Sequence, residues 1–369
     1  MKGSRRTIAV LLALAVLVAF AAPVFAEGQG EQGEETPYIA VISKGFQHDF
    51  WQQVRIGSEN AAEEFGVDIT FEGPPSESDV QDQVQMLNNA LAKDPAAIAL
   101  AALDTNAVID QLEQARDRGI PVVGFDSGVP NAPEGSIVAN ASTNNYAAAG
   151  TAAEKMFAEI KGAIENASAS NPVTIVVMNQ DASGESLLSR GFGFRDRMVE
   201  LVANETGKSR SNIKVTGNAA YIADDSPTGG NQVMIDMIVP ASASAQDTTS
   251  AANAMLNRVE DDNIVGVFCS NEATVKGLLA ATNDGSELGN QYSDLVVVGY
   301  DAGAGQKNAV RNDYFLGSIT QDPRQIGYKA VELAYKAYMG ESVSDVDTGA
   351  KFYTDENMDD PDIAPLLYD

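Results

Sequence analysis

The stretch Val122-Val123-Gly124-Phe125-Asp126-Ser127-Gly128 decides the fold, because it recurs closely as Val297-Val298-Gly299-Tyr300-Asp301-Ala302-Gly303. Each copy of this repeated heptad has two valines, a glycine, an aromatic residue, an aspartate, a small residue and a second glycine. We interpret each copy as the end of a buried strand and the turn that follows it. The repeat predicts two similar sheets, each with an aspartate placed alike at a strand end.

Short apolar runs alternate with amphipathic stretches on both sides of each heptad. The predicted strands are Tyr38–Ser43, Asp68–Glu72, Ala97–Ala101, Ile120–Phe125, Ser136–Ala139, Val173–Asn179, Ile213–Val215, Val265–Cys269, Leu295–Tyr300 and Phe315–Ile319. Such strands, separated by helical patterns, favour an α/β fold with parallel sheets covered on both faces. Ligands bind outside the carboxyl ends of the strands in such sheets, so Asp126 and Asp301 are expected to face each other across a cleft.

The N-terminus has the three parts of a secretory signal peptide. A basic head over residues 1–6 precedes an apolar stretch from Ile8 to Ala22, and Val24-Phe25-Ala26 offers small residues for signal peptidase. The apolar stretch is short for a membrane span, so an uncleaved anchor is the weaker interpretation. Residues 1–26 are therefore predicted to be a signal peptide cleaved near Ala26, and the polar, glycine-rich residues 27–36 a disordered leader.

Composition restricts the compartment and the partners. Cys269 is the sole cysteine, so neither an internal disulfide nor an acylated cysteine at the cleavage site is available. An exported protein without a lipid anchor is retained by an outer membrane, which predicts a soluble periplasmic protein. The net charge of −28 repels nucleic acid and anionic lipid, so no nucleic-acid partner is expected.

The sequence lacks the common catalytic motifs. His48 is the sole histidine, so a histidine metal cluster is excluded, and no Gly-x-Ser-x-Gly motif presents a serine to it. A Walker phosphate-binding motif is absent, and Asn308 stands where a dinucleotide fingerprint beginning at Gly303 needs its third glycine. We therefore predict no catalytic residue, no metal site and no cofactor.

The end of the first predicted strand carries a candidate ligand site, in the segment Lys44-Gly45-Phe46-Gln47-His48-Asp49-Phe50-Trp51. Sugars have hydroxyl edges and apolar C–H faces, so they bind between aromatic rings and fixed hydrogen-bonding groups. Phe50 and Trp51 would supply rings, and an aspartate accepts hydroxyl hydrogens in charge-assisted bonds. The alternative for both aromatic residues is a structural role, anchoring the helix to the sheet.

In the order and spacing of several motifs, the chain from Tyr38 almost to its C-terminus resembles the ribose/galactose-binding-protein-like family of type I periplasmic binding proteins. The motifs are Phe50-Trp51, Gly119-Ile120-Pro121-Val122 with Asp126, Ser270-Asn271-Glu272, Val298-Gly299-Tyr300-Asp301, and Thr320-Gln321-Asp322-Pro323 followed by Ile326-Gly327-Tyr328. The resemblance implies two Rossmann-like domains, each a parallel sheet covered by helices, joined by a three-segment hinge. It also implies a substrate-binding protein that captures a monosaccharide by hinge closure and delivers it to the membrane permease subunits of an ABC importer.

The same resemblance assigns ligand-binding positions. Phe50 and Trp51 match the family's aromatic clamp, and Asp126 and Asp301 match its paired cleft aspartates. The other positions carried over as ligand contacts are Lys44, His48, Arg190, Asn271 and Gln321. Two departures leave the sugar open: Ser127 stands where the ribose-type pattern often has arginine, and Tyr221 is only a candidate for the aromatic contact of the second domain.

The resemblance also divides the mature chain into two lobes. The N-terminal lobe would combine residues 37–140 with 322–345, and the C-terminal lobe residues 141–321 with 346–369. Hinge crossings are expected near residues 140–141, 321–322 and 346–349. Residues 222–247 break the alternation of strands and helices, with a turn over residues 224–230, and are expected to form an exposed excursion.

Other functions remain open at this point. The ligand could be a nucleoside, a polyol or a furanosyl signal molecule, because the same aspartates and aromatic rings would bind it. The protein could also be a sensory component that presents its closed form to a chemoreceptor. A repressor with this core fold is disfavoured, because an export signal stands where DNA-binding helices would lie and the charge has the wrong sign. A monomer is expected.

Overall fold

The computed structural model describes residues 36–46, 48–222 and 230–368. The predicted signal peptide, residues 27–35 of the predicted leader, and the predicted turn up to residue 229 lie outside the described residues and stay predictions. The described residues from Pro37 onwards form one compact unit. Within the described ranges, no helix is both long enough and apolar enough to cross a membrane.

Strands and helices alternate along most of the chain. The strands are β1 Tyr38–Ile42, β2 Asp68–Glu72, β3 Ala97–Leu100, β4 Val122–Phe125, β5 Ala139–Ser142, β6 Val173–Met178, β7 Ile213–Gly217, β8 Val233–Ile238, β9 Ile264–Cys269, β10 Val296–Tyr300, β11 Gly317–Gln321, β12 Val346–Asp347 and β13 Ala350–Tyr353. The helices are α1 Asp49–Phe65, α2 Val80–Ala92, α3 Ile109–Asp117, α4 Asn145–Asn166, α5 Glu185–Glu205, α6 Ala245–Leu256, α7 Glu272–Ala281, α8 Ala304–Arg311 and α9 Pro323–Tyr338.

The strands form two sheets. The first has the order β12-β5-β4-β3-β1-β2 and the second the order β13-β11-β10-β9-β6-β8-β7. All named pairs are parallel except β11 with β13, which is antiparallel. Strands such as β3 and β4 are buried along their whole length because helices cover both faces. The predicted α/β class with two helix-covered sheets is confirmed.

The chain crosses between the sheets three times. It leaves the first sheet after Ser142, returns after Gln321 at the end of β11, and crosses again between Asp347 and Ala350. After the first crossing α4 packs against the second sheet, and after the second crossing α9 packs against the first. These crossings form the three-segment hinge of the fold, whereas the lobe boundaries by residue stay a prediction.

The prediction of an exposed excursion over residues 222–247 is wrong for its central part. Residues 233–238 form β8, which lies between β6 and β7 inside the second sheet. Val233, Ile235 and Met237 are buried while the residues between them are partly exposed, which is the alternation of a strand. The low-complexity residues 241–245 that follow lead into α6, whose N-terminus is capped by the Ser244 side chain, which accepts a hydrogen bond from the backbone of Asp247.

The strand predicted over Ser136–Ala139 begins three residues later, as Ala139–Ser142. Ser136 is instead held in a turn, since its backbone N–H and its hydroxyl both donate to the Pro133 carbonyl, at 3.0 and 2.7 Å. These hydrogen bonds stabilise a turn in place of the backbone pairing that a strand would need.

Candidate ligand-binding site

The aspartates of the two heptads have the same place in the structure. Asp126 follows β4 and Asp301 follows β10. Both have a left-handed backbone, with φ of 54° and 75°, a conformation that aspartate tolerates better than most residues. The first glycine of each heptad permits a close approach: a Cβ at Gly124 would lie 2.0 Å, and one at Gly299 2.6 Å, from a neighbouring side chain. The repeat in sequence is therefore matched by a repeat in the backbone conformation of the two aspartates.

A cavity lies where residues from the carboxyl ends of both sheets meet. Its lining residues on the side of the first sheet are Lys44, His48, Phe50, Trp51, Glu77 and Asp126, and on the side of the second sheet Leu187, Arg190, Asn271, Glu272, Asp301 and Gln321. The structure thus brings together all nine residues named from the sequence as ligand contacts. The lining residues Glu77, Leu187 and Glu272 were not predicted from the sequence as ligand contacts.

Lys44 lies at the end of β1 and contacts both sides of the cavity. Its Nζ lies 3.6 Å from Asp126 Oδ2 and donates a hydrogen bond to Ser186 Oγ of α5 at 3.3 Å. Burial disfavours the ammonium, but Asp126 and Glu77 outweigh it and raise the pKa of Lys44 above its ordinary value. The pKa of Asp126 is also raised, because burial outweighs the attraction of Lys44 and Arg190.

Glu77, in the loop between β2 and α2, joins the two sides of the cavity. It accepts hydrogen bonds from Trp51 Nε1 at 2.6 Å and from Gln180 Nε2, beyond β6, at 2.7 Å. Burial alone would raise its pKa, but Lys44, His48 and the two hydrogen bonds together lower the pKa of Glu77 to about 2. Glu77 is therefore an ionised, buried carboxylate at neutral pH.

Arg190 of α5 is held rigidly in the opposite wall. Its guanidinium lies 3.8 Å from the centre of the Tyr300 ring, and its Nη1 donates to the Ser270 carbonyl at 3.0 Å. The same Nη1 lies 3.7 Å from Asp301 Oδ2. Stacking and ion pairing together fix the direction of this cation.

Side-chain amides complete the polar wall of the second sheet. Gln321, the last residue of β11, donates to Asp301 Oδ1 at 2.6 Å. Asn271 donates to Gln180 Oε1 at 2.6 Å and also caps α7 by accepting from the Thr274 backbone. Each amide is thus held in one orientation by a neighbouring side chain before a ligand binds.

The aromatic pair lines the cavity and also packs into the core. Phe50 and Trp51, in the first turn of α1, meet edge to face with ring centroids 5.0 Å apart, and Trp51 lies 6.3 Å from Phe125. They are only 5% and 1% exposed. The two interpretations of these residues are therefore compatible, since both anchor α1 and both reach the cavity wall.

His48 stands between two carboxylates from opposite sides of the cavity. Its Nε2 lies 3.8 Å from Glu77 Oε1 and its Nδ1 lies 3.8 Å from Glu272 Oε1. Tyr221, the aromatic candidate of the second domain, does not line the cavity. It is fully buried, and its hydroxyl donates to the Asp181 carbonyl.

Glu77 and Glu272 could have been found by a rule already applied to Asp126. Glu77 follows β2 just as Lys44 follows β1, and these strands are neighbours in the sheet. Glu272 is adjacent to Asn271 beyond β9. Leu187 carries no such signal, because it reaches the cavity from the first turn of α5.

Replacing Glu77 with glutamine is expected to lower the free energy of unfolding at pH 7 by on the order of 3 kcal/mol. The folded-state pKa of about 2 lies below the ordinary 4.5. The charge of Glu77 therefore stabilises the fold above pH 4.5, and this contribution is lost as the pH falls towards 2. Urea unfolding of wild type and E77Q should differ most at pH 7 and converge in acid. E63Q, on the exposed face of α1, is the control. The same pH profile for both variants would contradict the assignment.

The arrangement of the cavity suits a ligand that carries many hydroxyl groups. Carboxylates accept hydrogen bonds, Arg190 and the amides of Asn271 and Gln321 donate them, and aromatic edges cover apolar faces. Opposing groups belong to sheets joined by a hinge, so a bound molecule would contact both lobes at once.

Comparisons with known proteins show the family of this chain. Residues 39–342 match the family described as periplasmic binding protein domain. The D-allose-binding periplasmic protein of Escherichia coli strain K12 is 22% identical over 317 residues, covering 85% of this chain and 88% of that protein.

Solved structures extend the likeness. An "ABC transporter, LacI family transcriptional regulator" from Brachyspira murdochii is 39% identical with a TM-score of 0.74, covering 90% of this chain and 99% of that one. An ABC transporter solute-binding protein from Agrobacterium vitis with bound D-fucose is 27% identical with a TM-score of 0.71, covering 90% and 100%. The family match covers most of the chain, and the fold and its three crossings agree with it. This chain therefore belongs to the periplasmic binding protein family and has its type I architecture.

Proposed function

We propose that this protein is the periplasmic substrate-binding protein of an ABC importer and captures a monosaccharide in the cavity between its two sheets. The observation that carries the proposal is the cavity itself, whose polar groups come from the strand ends of both sheets. The D-allose-binding relative and the D-fucose-bound neighbour support a sugar as the ligand class. The proposed ligand contacts are the nine residues named from the sequence.

Closure follows from where these contacts lie. Phe50, Trp51 and Asp126 bind from the first lobe, and Arg190 and Asp301 from the second. A ligand that bound both lobes only in the closed form would shift the hinge towards closure, because only a difference in affinity between two states moves their equilibrium. The closed form would then be recognised by the permease subunits. The lobe boundaries proposed are residues 37–140 with 322–345, and 141–321 with 346–369.

The signal peptide and the location are part of the same proposal. The basic and apolar residues 1–26 support export, and the net charge of −28 fits a protein that neither nucleic acid nor anionic lipid binds. We propose a monomer, retained in the periplasm after cleavage near Ala26.

Titration of tryptophan fluorescence tests the function, because Trp51 is the sole tryptophan and lines the cavity. The chain from Glu27 onwards is titrated with D-allose, D-ribose, D-fucose and other monosaccharides, and separately with polyols and nucleosides, with melting scans alongside. A saturable change at micromolar sugar, about −8 kcal/mol of binding, is expected for at least one of them. Binding of only nucleosides or polyols would overturn the sugar assignment. Co-purification with a chemoreceptor rather than a permease would favour sensing.

A further inference from the structure

Glu272, the first residue of α7, is a carboxylate that the proposed set of ligand contacts does not include. It lines the cavity and is only 2% exposed. Its Oε1 contacts Lys276 in an ion pair and lies 3.8 Å from His48 Nδ1. Within residues 36–46, 48–222 and 230–368, Oε2 has neither a hydrogen-bond partner nor an ion-pair contact, whereas Oε1 is held by Lys276.

A buried carboxylate oxygen without a hydrogen bond is costly, because its removal from water is not compensated. Burial accordingly raises the pKa of Glu272, despite the opposing effect of His48 and Lys276. A comparison with α5 shows that a position in the first turn of a helix does not explain this burial. Glu185, the first residue of α5, is partly exposed, and its Oε1 accepts a hydrogen bond from Ser189.

The charges of the cavity wall limit what can satisfy Glu272. Two cations, Lys44 and Arg190, line the cavity, and each lies beside an aspartate of the repeated heptads. With Glu77, Glu272 and these two aspartates, the described lining residues include four carboxyl groups and two basic side chains. An added carboxylate or phosphate would meet like charge in a site of low dielectric, which costs several kcal/mol.

We propose that Glu272 is a specificity-determining ligand contact, which accepts hydrogen bonds from a neutral or amino sugar and excludes acidic sugars. This inference rests on the proposed function and deepens it. The ligand would supply the donor that Oε2 lacks, and a sugar acid would place its own charge where the wall is already negative.

The experiment measures affinities by calorimetry for the wild type, E272Q and E185Q. The probes are neutral D-allose, D-fucose, D-galactose and D-glucose, the amino sugars D-galactosamine and D-glucosamine, and the acids D-galacturonate and D-glucuronate. For wild type, we expect the tightest binder to be neutral or amino, and both acids to bind at least about 100-fold more weakly. In E272Q, the tightest binder should lose about tenfold to a hundredfold in affinity and the discrimination against the acids should shrink about tenfold.

The matched control is E185Q, the same substitution at the same helical position outside the cavity, and it should leave all affinities within twofold. Three results separate the possibilities. If an acid is the tightest binder, the specificity proposal is wrong while the sugar-binding function stands. If E272Q lowers only the melting temperature and leaves affinities and discrimination unchanged, Glu272 is structural and the proposal is overturned. If none of the eight sugars nor any sugar of the fluorescence titration binds, the proposed function itself fails, and this inference fails with it.

Discussion

Replacing Asp301 with asparagine is expected to weaken binding of the captured sugar about a thousandfold. One Asp301 oxygen accepts from Gln321 at 2.6 Å and the other from the Glu272 backbone at 3.1 Å, so the carboxylate is oriented on both sides. Asparagine keeps one acceptor, loses the charge and removes an anionic neighbour of Arg190. Two charge-assisted hydrogen bonds to a ligand contribute about 1.5–3 kcal/mol each, which corresponds to the expected loss.

The control for this variant is Asp313→Asn. Asp313 also has a left-handed backbone, with φ of 56°, but is exposed and lies outside the cavity. Asparagine tolerates this conformation at both positions, so the pair separates the loss of charge from backbone strain. Calorimetry with the sugars that wild type binds is run beside melting scans, because Arg190 loses its ion pair. Affinity of D301N within tenfold of wild type would show that Asp301 only braces the wall.

Replacing Gly327 with leucine is expected to destabilise the fold by about 4 kcal/mol. Gly327 of α9 faces α1 so closely that a Cβ would lie 1.9 Å from the Val54 carbonyl oxygen. Gly57 of α1 packs equally closely against α9, since a Cβ at this position would lie 2.0 Å from the Arg324 carbonyl oxygen. A side chain at either position must force the helices apart. The start of α1, which carries Trp51 into the cavity, would move with it.

Gly162→Leu is the matched control for this packing prediction. Gly162 also lies inside a helix, α4, but a Cβ there has no neighbour within 4 Å. Leucine has the higher helix propensity, so this variant should be as stable as wild type or gain up to about 1 kcal/mol. Urea unfolding gives both values. Equal stabilities for the two variants would show that α1 and α9 tolerate separation.

The wrong prediction for residues 233–238 has a clear physical origin. The turn predicted over residues 224–230 and the low-complexity residues 241–245 suggested an exposed segment, and Asp236 interrupts the apolar run between them. In the structure its Oδ1 accepts a hydrogen bond from Thr216 of the adjacent strand at 3.1 Å, and its Oδ2 pairs with Arg258. A polar residue that finds partners on the partly exposed face of a sheet does not end a strand, and period-two burial was the better indicator.

The sequence by itself determined the alternating α/β pattern, the two sheets and the aspartates that end β4 and β10. These follow from local periodicity and from an internal repeat, which are properties of neighbouring residues. Only the tertiary structure decided that Glu77 and Glu272 lie on opposite sides of the His48 ring. It also decided which cations are already engaged, and that glycine is required where α1 crosses α9. Each of these depends on distances between residues far apart in the chain, because packing and pairing across a hinge leave no periodic trace in the sequence.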